Sequence, residues 1–201
     1  MCKSKLKTVM QFMLLVVVAL CVGSIASRPA HAEDQSLNRV KQKGTLVVAI
    51  SPDYPPYEFQ VNQNGKQVDQ GIDVDLAKQM AKDLHVKPVF KNMSFDSVLV
   101  AVQTGKADMA IGGINPTPAR RQNADFSKIY YNGGQDFLVN KKDAGKIKDK
   151  NSLKGQKLGV QSGTLQAQLA KKNIHGAQIT QMSKTPDLVL ALKTNKVDAV
   201  G

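Results

Sequence analysis

The chain has 201 residues, with 28 lysines and arginines against 16 aspartates and glutamates, a formal net charge of +12. The lysines are scattered, with no dense basic block and no interleaved aromatics. That argues against nucleic acid and for a solvated basic surface able to sit against an anionic wall or lipid.

Lys3, Lys5 and Lys7 precede an unbroken apolar run from Met13 to Val22. Ala30-His31-Ala32 then offers small residues at the two positions a signal peptidase reads, ahead of Glu33-Asp34. This is the three-part pattern of a secretory signal peptide over residues 1–32, with an apolar run shorter than the ~20 residues of a membrane helix. Leu20, in front of Cys21, is too large for the usual lipid-attachment box, which leaves a lipid anchor as the minor alternative. Removing residues 1–32 takes four basic residues (Lys3, Lys5, Lys7, Arg28), no acidic ones and both cysteines. The remaining 169 residues (201 minus 32) carry 24 minus 16, or +8, and must hold a core without a disulfide. The expectation is an exported chain.

Leu37 to Gln42 reads as a short helical lead-in ended by Gly44, and Thr45 to Ile50 as a buried β-branched strand. The proline-stiffened loop Ser51–Tyr57 follows, with Glu58-Phe59 continuing as extended chain and Asn64-Gly65 marking a hairpin tip. Gly71 opens a helix to about Leu84, whose acidic pair Asp73 and Asp75 sits where the dipole favours it. Lys87–Lys91 reads as a strand, Ser94 to Gln103 as a capped helix and Ala107–Ile111 as the next strand. Gln135–Asn140 reads as another strand, and Lys141–Leu153 as an aperiodic surface connection. A second round then follows: strand Lys157–Val160, a helix to about Lys172, strand Gln178–Met182, a helix started by Thr185-Pro186-Asp187 and running through Leu188–Leu192, and strand Val197–Val200. Both rounds end on the same element, Lys106-Ala-Asp108 and Lys196-Val-Asp198. The alternation predicts an α/β fold with mainly parallel sheets, in two similar lobes.

Chemistry-bearing clusters are sparse. His85 and His175 have no partners at metal-ligand spacing, and Ser162-Gly163 lacks the strained elbow of a nucleophilic serine. Asp73 and Asp75 lie two apart, so they do not share a helix face, and a helix-end role accounts for them. Asn92-Met93-Ser94 fits a glycosylation tripeptide that chance also produces. No phosphate-loop or dinucleotide fingerprint is present, so no cofactor is expected.

The stretch Ala110–Arg120 (AIGGINPTPAR) carries more: glycines allow a ligand close to the backbone, and an arginine fork suits a carboxylate. By itself it reads more readily as a plain strand-to-helix turn with a solvated arginine. Tyr54 and Phe95 are aromatics on loops, and Gly163-Thr164 stands at a helix N-terminus that favours an anion. All lie at strand ends, where α/β folds bind ligands.

Gly71 to Leu84 (GIDVDLAKQMAKDL) resembles the signature of the family 3 extracellular solute-binding proteins, the polar amino acid receptors of ABC importers. PDYPPYEF (52–59), the glycine-to-arginine element 113–120, ADFS (124–127), LKGQKLGVQSGT (153–164) and KVDAV (196–200) support it. The resemblance implies a two-lobed periplasmic-binding-protein-like fold of type II, with residues 33–135 in the first lobe and 136–201 in an incomplete second lobe. It implies no enzyme activity, a monomer, a polar amino acid ligand and permease partners in the membrane. Tyr54 and Phe95 would wall the ligand side chain. Arg120 would pair with the α-carboxylate, helped by the N–H groups of Asn115 and Thr164. Gly112 and Gly113 would supply backbone contacts, Ser51 and Gln161 would face the side chain, and Gln166 would lie close by.

Asn115, Pro116 and Ala119 depart from the family pattern, and Ser51 stands where receptors for basic amino acids carry an aspartate. With Gln161, that favours a polar neutral ligand such as glutamine. The family's ammonium-binding aspartate would follow KVDAV, beyond Gly201, so the resemblance implies a fragment or truncated product that folds poorly and binds weakly. A same-fold periplasmic dehydratase and a receptor–permease fusion or sensor are the alternatives.

Overall fold

Helix α1 (Ser36–Lys43) ends at Gly44, whose φ of +69° turns the chain into strand β1 (Thr45–Ile50). The computed structural model describes residues 35–201, and the signal peptide expected over residues 1–32 lies outside the described residues. Strands β2 (Asp53–Tyr54), β3 (Glu58–Gln63) and β4 (Lys66–Gln70) form a small antiparallel sheet. Its tip is Asn64-Gly65, both at positive φ (53° and 81°), as a two-residue turn between right-twisted strands requires. Helix α2 (Ile72–Asp83), strand β5 (Lys87–Asn92), helix α3 (Phe95–Gln103) and strand β6 (Met109–Ala110) complete the first half.

β1 lies between β5 and β6, parallel to both. A parallel sheet needs cover on both faces, and the period-two side chains of β1 supply one apolar set to each. Leu46, Val48 and Ile50 pack with Val74, Ala77 and Ala81 of α2. Val47 and Ala49 pack with Val98 and Ala101 of α3.

After the short helix α4 (Pro118–Arg121), a long segment without regular structure leads to strand β7 (Leu138–Val139). Strand β8 (Lys157–Gln161), helix α5 (Leu165–Asn173), strand β9 (Gln178–Met182), helix α6 (Thr185–Lys193) and strand β10 (Ala199–Val200) build the second sheet, ordered β7-β10-β8-β9. β8 is parallel to β9 and β10, and β7 runs antiparallel to β10. Leu158 and Val160 pack with Ala167 and Ala170 of α5. On the other face α6 comes in over Gly159, where an added Cβ would lie 2.9 Å from Leu188.

The repeated Lys-x-Asp element does the same work in both sheets. The Asp108 carboxylate accepts the N–H of Val47 (2.7 Å) while its own N–H donates to the Val47 carbonyl (2.8 Å). Asp198 treats Lys157 identically, at 2.7 and 2.8 Å. Each aspartate closes the ladder where its strand enters the sheet, which explains why the motif recurs.

Two expectations change. The strands expected at 107–111, 135–140 and 197–200 pair over only two residues each; at the entry of the first and third an aspartate side chain takes the neighbouring strand's N–H in place of a ladder bond. Lys141–Leu153 is not merely a surface connection. It carries two 3₁₀ turns, Lys141–Asp143 and Asn151–Leu153, and buries Ile147 and Leu153 in the second core. Two isolated anchors leave no periodic signal to read.

Asp198→Ala strands the Lys157 N–H and lowers stability by about 1–2 kcal/mol. Urea unfolding of the variant beside wild type measures it, with Asp108→Ala giving a matching loss.

Candidate functional site

The C-terminal ends of β1, β6 and β8 converge on a cavity of about 600 Å³. From the first sheet it is lined by Tyr54, Phe95 and the Gly112–Asn115 loop, and from the second by Gln161, Thr164 and Gln166. The aromatic wall is larger than the sequence indicates. Tyr57 stacks on Tyr54 (centroids 5.3 Å apart, planes at 17°) and meets Tyr131 at 5.3 Å in a tilted contact. Segment 126–137, aperiodic in sequence, forms a further side.

Arg120 is held at the edge of this cavity and is not among the residues that line it. Thr117 caps its short helix, accepting the Arg120 N–H at 3.3 Å. The guanidinium lies 5.7 Å from the Phe95 ring centroid. One terminal nitrogen donates to the Asn115 carbonyl and the other to the Gly163 carbonyl, both at 2.9 Å. The second bond joins the two halves. Burial lowers the pKa of the group below its ordinary value. The guanidinium has five N–H donors, so three are left for another acceptor.

Thr164 caps α5: its hydroxyl accepts the Ala167 N–H at 3.1 Å and donates to the Gln161 carbonyl at 2.7 Å. Gly163 has φ +76°, and a Cβ there would meet Asp96 of α3 at 2.7 Å, so this turn fits against the first half only as glycine.

Ser51 is buried (3 % exposed) and lies outside the cavity lining, because its side chain turns back onto Asp53. Its hydroxyl donates to Asp53 Oδ1 at 3.3 Å. Asp53, not singled out from the sequence, lines the cavity instead. Its Oδ2 accepts the side-chain amide of Gln161 (3.2 Å) and the N–H of Thr185 at the start of α6 (3.0 Å). A carboxylate therefore stands between Ser51 and Gln161, at the end of the pocket where the sequence showed only neutral groups.

The helix-end role expected of Asp73 is corrected. Gly71 is the N-cap of α2, Asp73 is fully buried, and its carboxylate points into the protein. Tyr130 donates its hydroxyl to Asp73 Oδ1 at 3.0 Å, and the Gly113 N–H also points to this carboxylate. Asp75, two residues on, is exposed beside Lys78 at 3.4 Å. Glu58 is a second buried acid, 1 % exposed at the cavity floor. Burial first and Asp73 second push its pKa up to about 9, against the N–H of Ser51, which lowers it. Burial also raises Asp73, partly offset by Tyr130 and Gly113. An acid following two prolines and a tyrosine was the available sequence signal for Glu58, but only burial marks it out.

The family described as bacterial extracellular solute-binding proteins, family 3, matches residues 46–189. The chain belongs to that family. Among its relatives, a probable histidine-binding protein of Campylobacter jejuni is 35 % identical over 88 % of this chain and 66 % of its own length. The L-cystine-binding protein TcyJ of Escherichia coli is 32 % identical over 93 % of this chain and 69 % of its own length. An amino acid ABC transporter substrate-binding protein from Streptococcus pneumoniae, solved bound to L-arginine, superposes with a TM-score of 0.79 at 43 % identity. That match covers 82 % of this chain and 69 % of the neighbour. The chain thus spans about two thirds of the length of the relatives it matches, and its fold is the two-lobed α/β fold of the family. No helix among the described residues is long and apolar enough to cross a membrane.

Gly112 has φ +139°, and a Cβ on it would collide with Glu58 Oε1. Gly112→Ala costs about 2–4 kcal/mol in a urea titration. In a Glu58→Ala background the same change costs at least about 1 kcal/mol less, because the collision is gone while the backbone strain stays.

Proposed function

We propose that this chain is the extracellular substrate-binding component of an amino acid ABC importer, holding a polar amino acid between its lobes and passing it to the permease without covalent chemistry. Residues 33–135 form the first lobe in this reading and residues 136–201 belong to the second. The observation that carries it is the convergence of the aromatic pair Tyr54 and Phe95, the Gly112–Asn115 loop and the capped turn at Thr164 from both lobes onto one cavity, with the Arg120 fork held at its edge.

The free donors of Arg120, with the N–H groups of Asn115 and Thr164, take the α-carboxylate, since charge-assisted bonds to a guanidinium fork are strong and directional. The carbonyl of Gly113 accepts the α-ammonium. Tyr54 and Phe95 enclose the side chain, and Gln161 with Gln166 meets its polar end. Asp53 adds an acceptor at that end, and Ser51 acts by holding Asp53. This favours a side chain that donates hydrogen bonds. Glutamine meets the requirement, and so do arginine and histidine, the class named for several relatives.

Thermal-shift screening against the twenty amino acids tests the reading, with a stabilisation of several degrees expected from a small polar subset. Arg120→Ala weakens the best ligand by about a hundredfold in calorimetry, as loss of a charged hydrogen-bonding partner at about 3 kcal/mol implies. Affinity retained within a few-fold would remove Arg120 from the carboxylate site.

A further inference from the structure

Beneath the loop that lines the cavity lie two buried acids that no ligand contact explains. Gly112 rests on Glu58, whose carboxyl occupies the space a Gly112 side chain would need. Gly113 rests on Asp73, to which it directs its N–H. Successive residues of one loop are therefore seated on two different carboxyls. Glu58 reaches this place from the start of β3 and also receives the N–H of Ser51, at the end of β1. Asp73 reaches it from the first turn of α2 and also receives the hydroxyl of Tyr130, from the segment that leads to the second lobe.

Both side chains are 1 % exposed or less, and each leaves one oxygen, Glu58 Oε2 and Asp73 Oδ2, without a partner. The titratable groups facing Glu58 are Asp53 on β2, Asp69 on β4, Asp73 on α2 and Tyr130 on the connecting segment, each an acid or a phenol. Asp73 faces Glu58, Tyr57 and Tyr130. Two carboxylates in such a place cannot both keep their charge, because neither burial nor a like charge favours the ionised form. Asp73 has two donors to stabilise an anion, the Gly113 N–H and the Tyr130 hydroxyl, whereas Glu58 has one.

We propose that Glu58 and Asp73 form a buried acid pair that holds one proton, with Glu58 its protonated member, and that the pair positions the Gly112–Gly113 loop for ligand. The positioning role rests on the amino acid reading above. Protonated Glu58 can lie against Gly112 without placing a second negative charge near Asp73. Loss of that proton places two negative charges under the loop and pushes it from its seat.

The sign of the pH effect follows from linkage. Glu58 has an ordinary value of 4.5 and is raised to about 9 in the folded chain. Folding therefore takes up a proton between those values, and the stability present below pH 4.5 is lost as pH rises towards 9.

The chain contains two glutamates, Glu33 and Glu58. Labelling glutamate with ¹³C in the full chain gives two carboxyl signals, and Glu58→Gln assigns them. The expected result is that the Glu58 signal titrates above pH 7.5; titration of both signals below pH 6 overturns the shared proton, and this readout needs no variant to fold well.

Calorimetry with L-arginine and L-glutamine at pH 7 and pH 10 tests positioning. The ligand ammonium titrates in the same range for every variant, so the measured quantity is the ratio of wild-type to Glu58→Gln affinity. That ratio falls at least fivefold from pH 7 to pH 10 if ionised Glu58 unseats the loop, and a ratio constant within twofold overturns the positioning role. Failure of the wild type to bind any amino acid at pH 7 counts against the proposed function and the positioning role together, while the carboxyl titration still decides the shared proton.

Discussion

The contact on which the pocket depends is the meeting of the Glu58 carboxyl with a glycine backbone at the end of β6. Strand β6 pairs over only two residues, and immediately beyond it the chain passes Gly112 and Gly113 at φ of 139° and 60°. A loop in that conformation has no ladder to hold it and needs support from below. Support comes from two directions, from β3 through Glu58 and from α2 through Asp73. The loop that faces the cavity is thereby tied to the small sheet and to the main helix of the first lobe. Burying two acids is costly unless each finds donors or keeps a proton, so the same requirement that shapes the loop also sets the charge state beneath it.

Contacts between the lobes are few and polar. Arg120 reaches the Gly163 carbonyl, Asp53 reaches the Thr185 N–H and the Gln161 amide, and Gly163 packs against Asp96. Each starts from a residue that lines or borders the cavity. Inside each lobe the logic is apolar: a parallel strand buried on both faces, one helix on each side, and an aspartate closing the ladder at the strand entry.

Most of the elements could be read from the sequence because their signals are local. Alternating apolar residues in TLVVAI, the Asn-Gly tip and glycines at helix ends each act within a few residues, and strand β1, the turn at Asn64-Gly65 and helix α2 lie where those signals put them. The Lys-x-Asp repeat exposed the kinship of the two halves because both aspartates satisfy the same kind of exposed strand end. What failed was of a different kind. Ile147 and Leu153 lie in an aperiodic stretch, and their burial depends on where the second sheet happens to pass.

The site divides the same way. The fold class, the family and the residues at strand ends follow from the chain alone, since turn chemistry and apolar periodicity are properties of neighbouring residues. The turning of Ser51 away from the cavity, the entry of Asp53 into it and the burial of Glu58 and Asp73 came only with the folded molecule. A carboxylate on a helix N-terminus looks the same in sequence whether it faces water or protein. Which it faces is set by distant segments, as the bond from Tyr130 to Asp73, 57 residues away, illustrates, and so is the charge it carries.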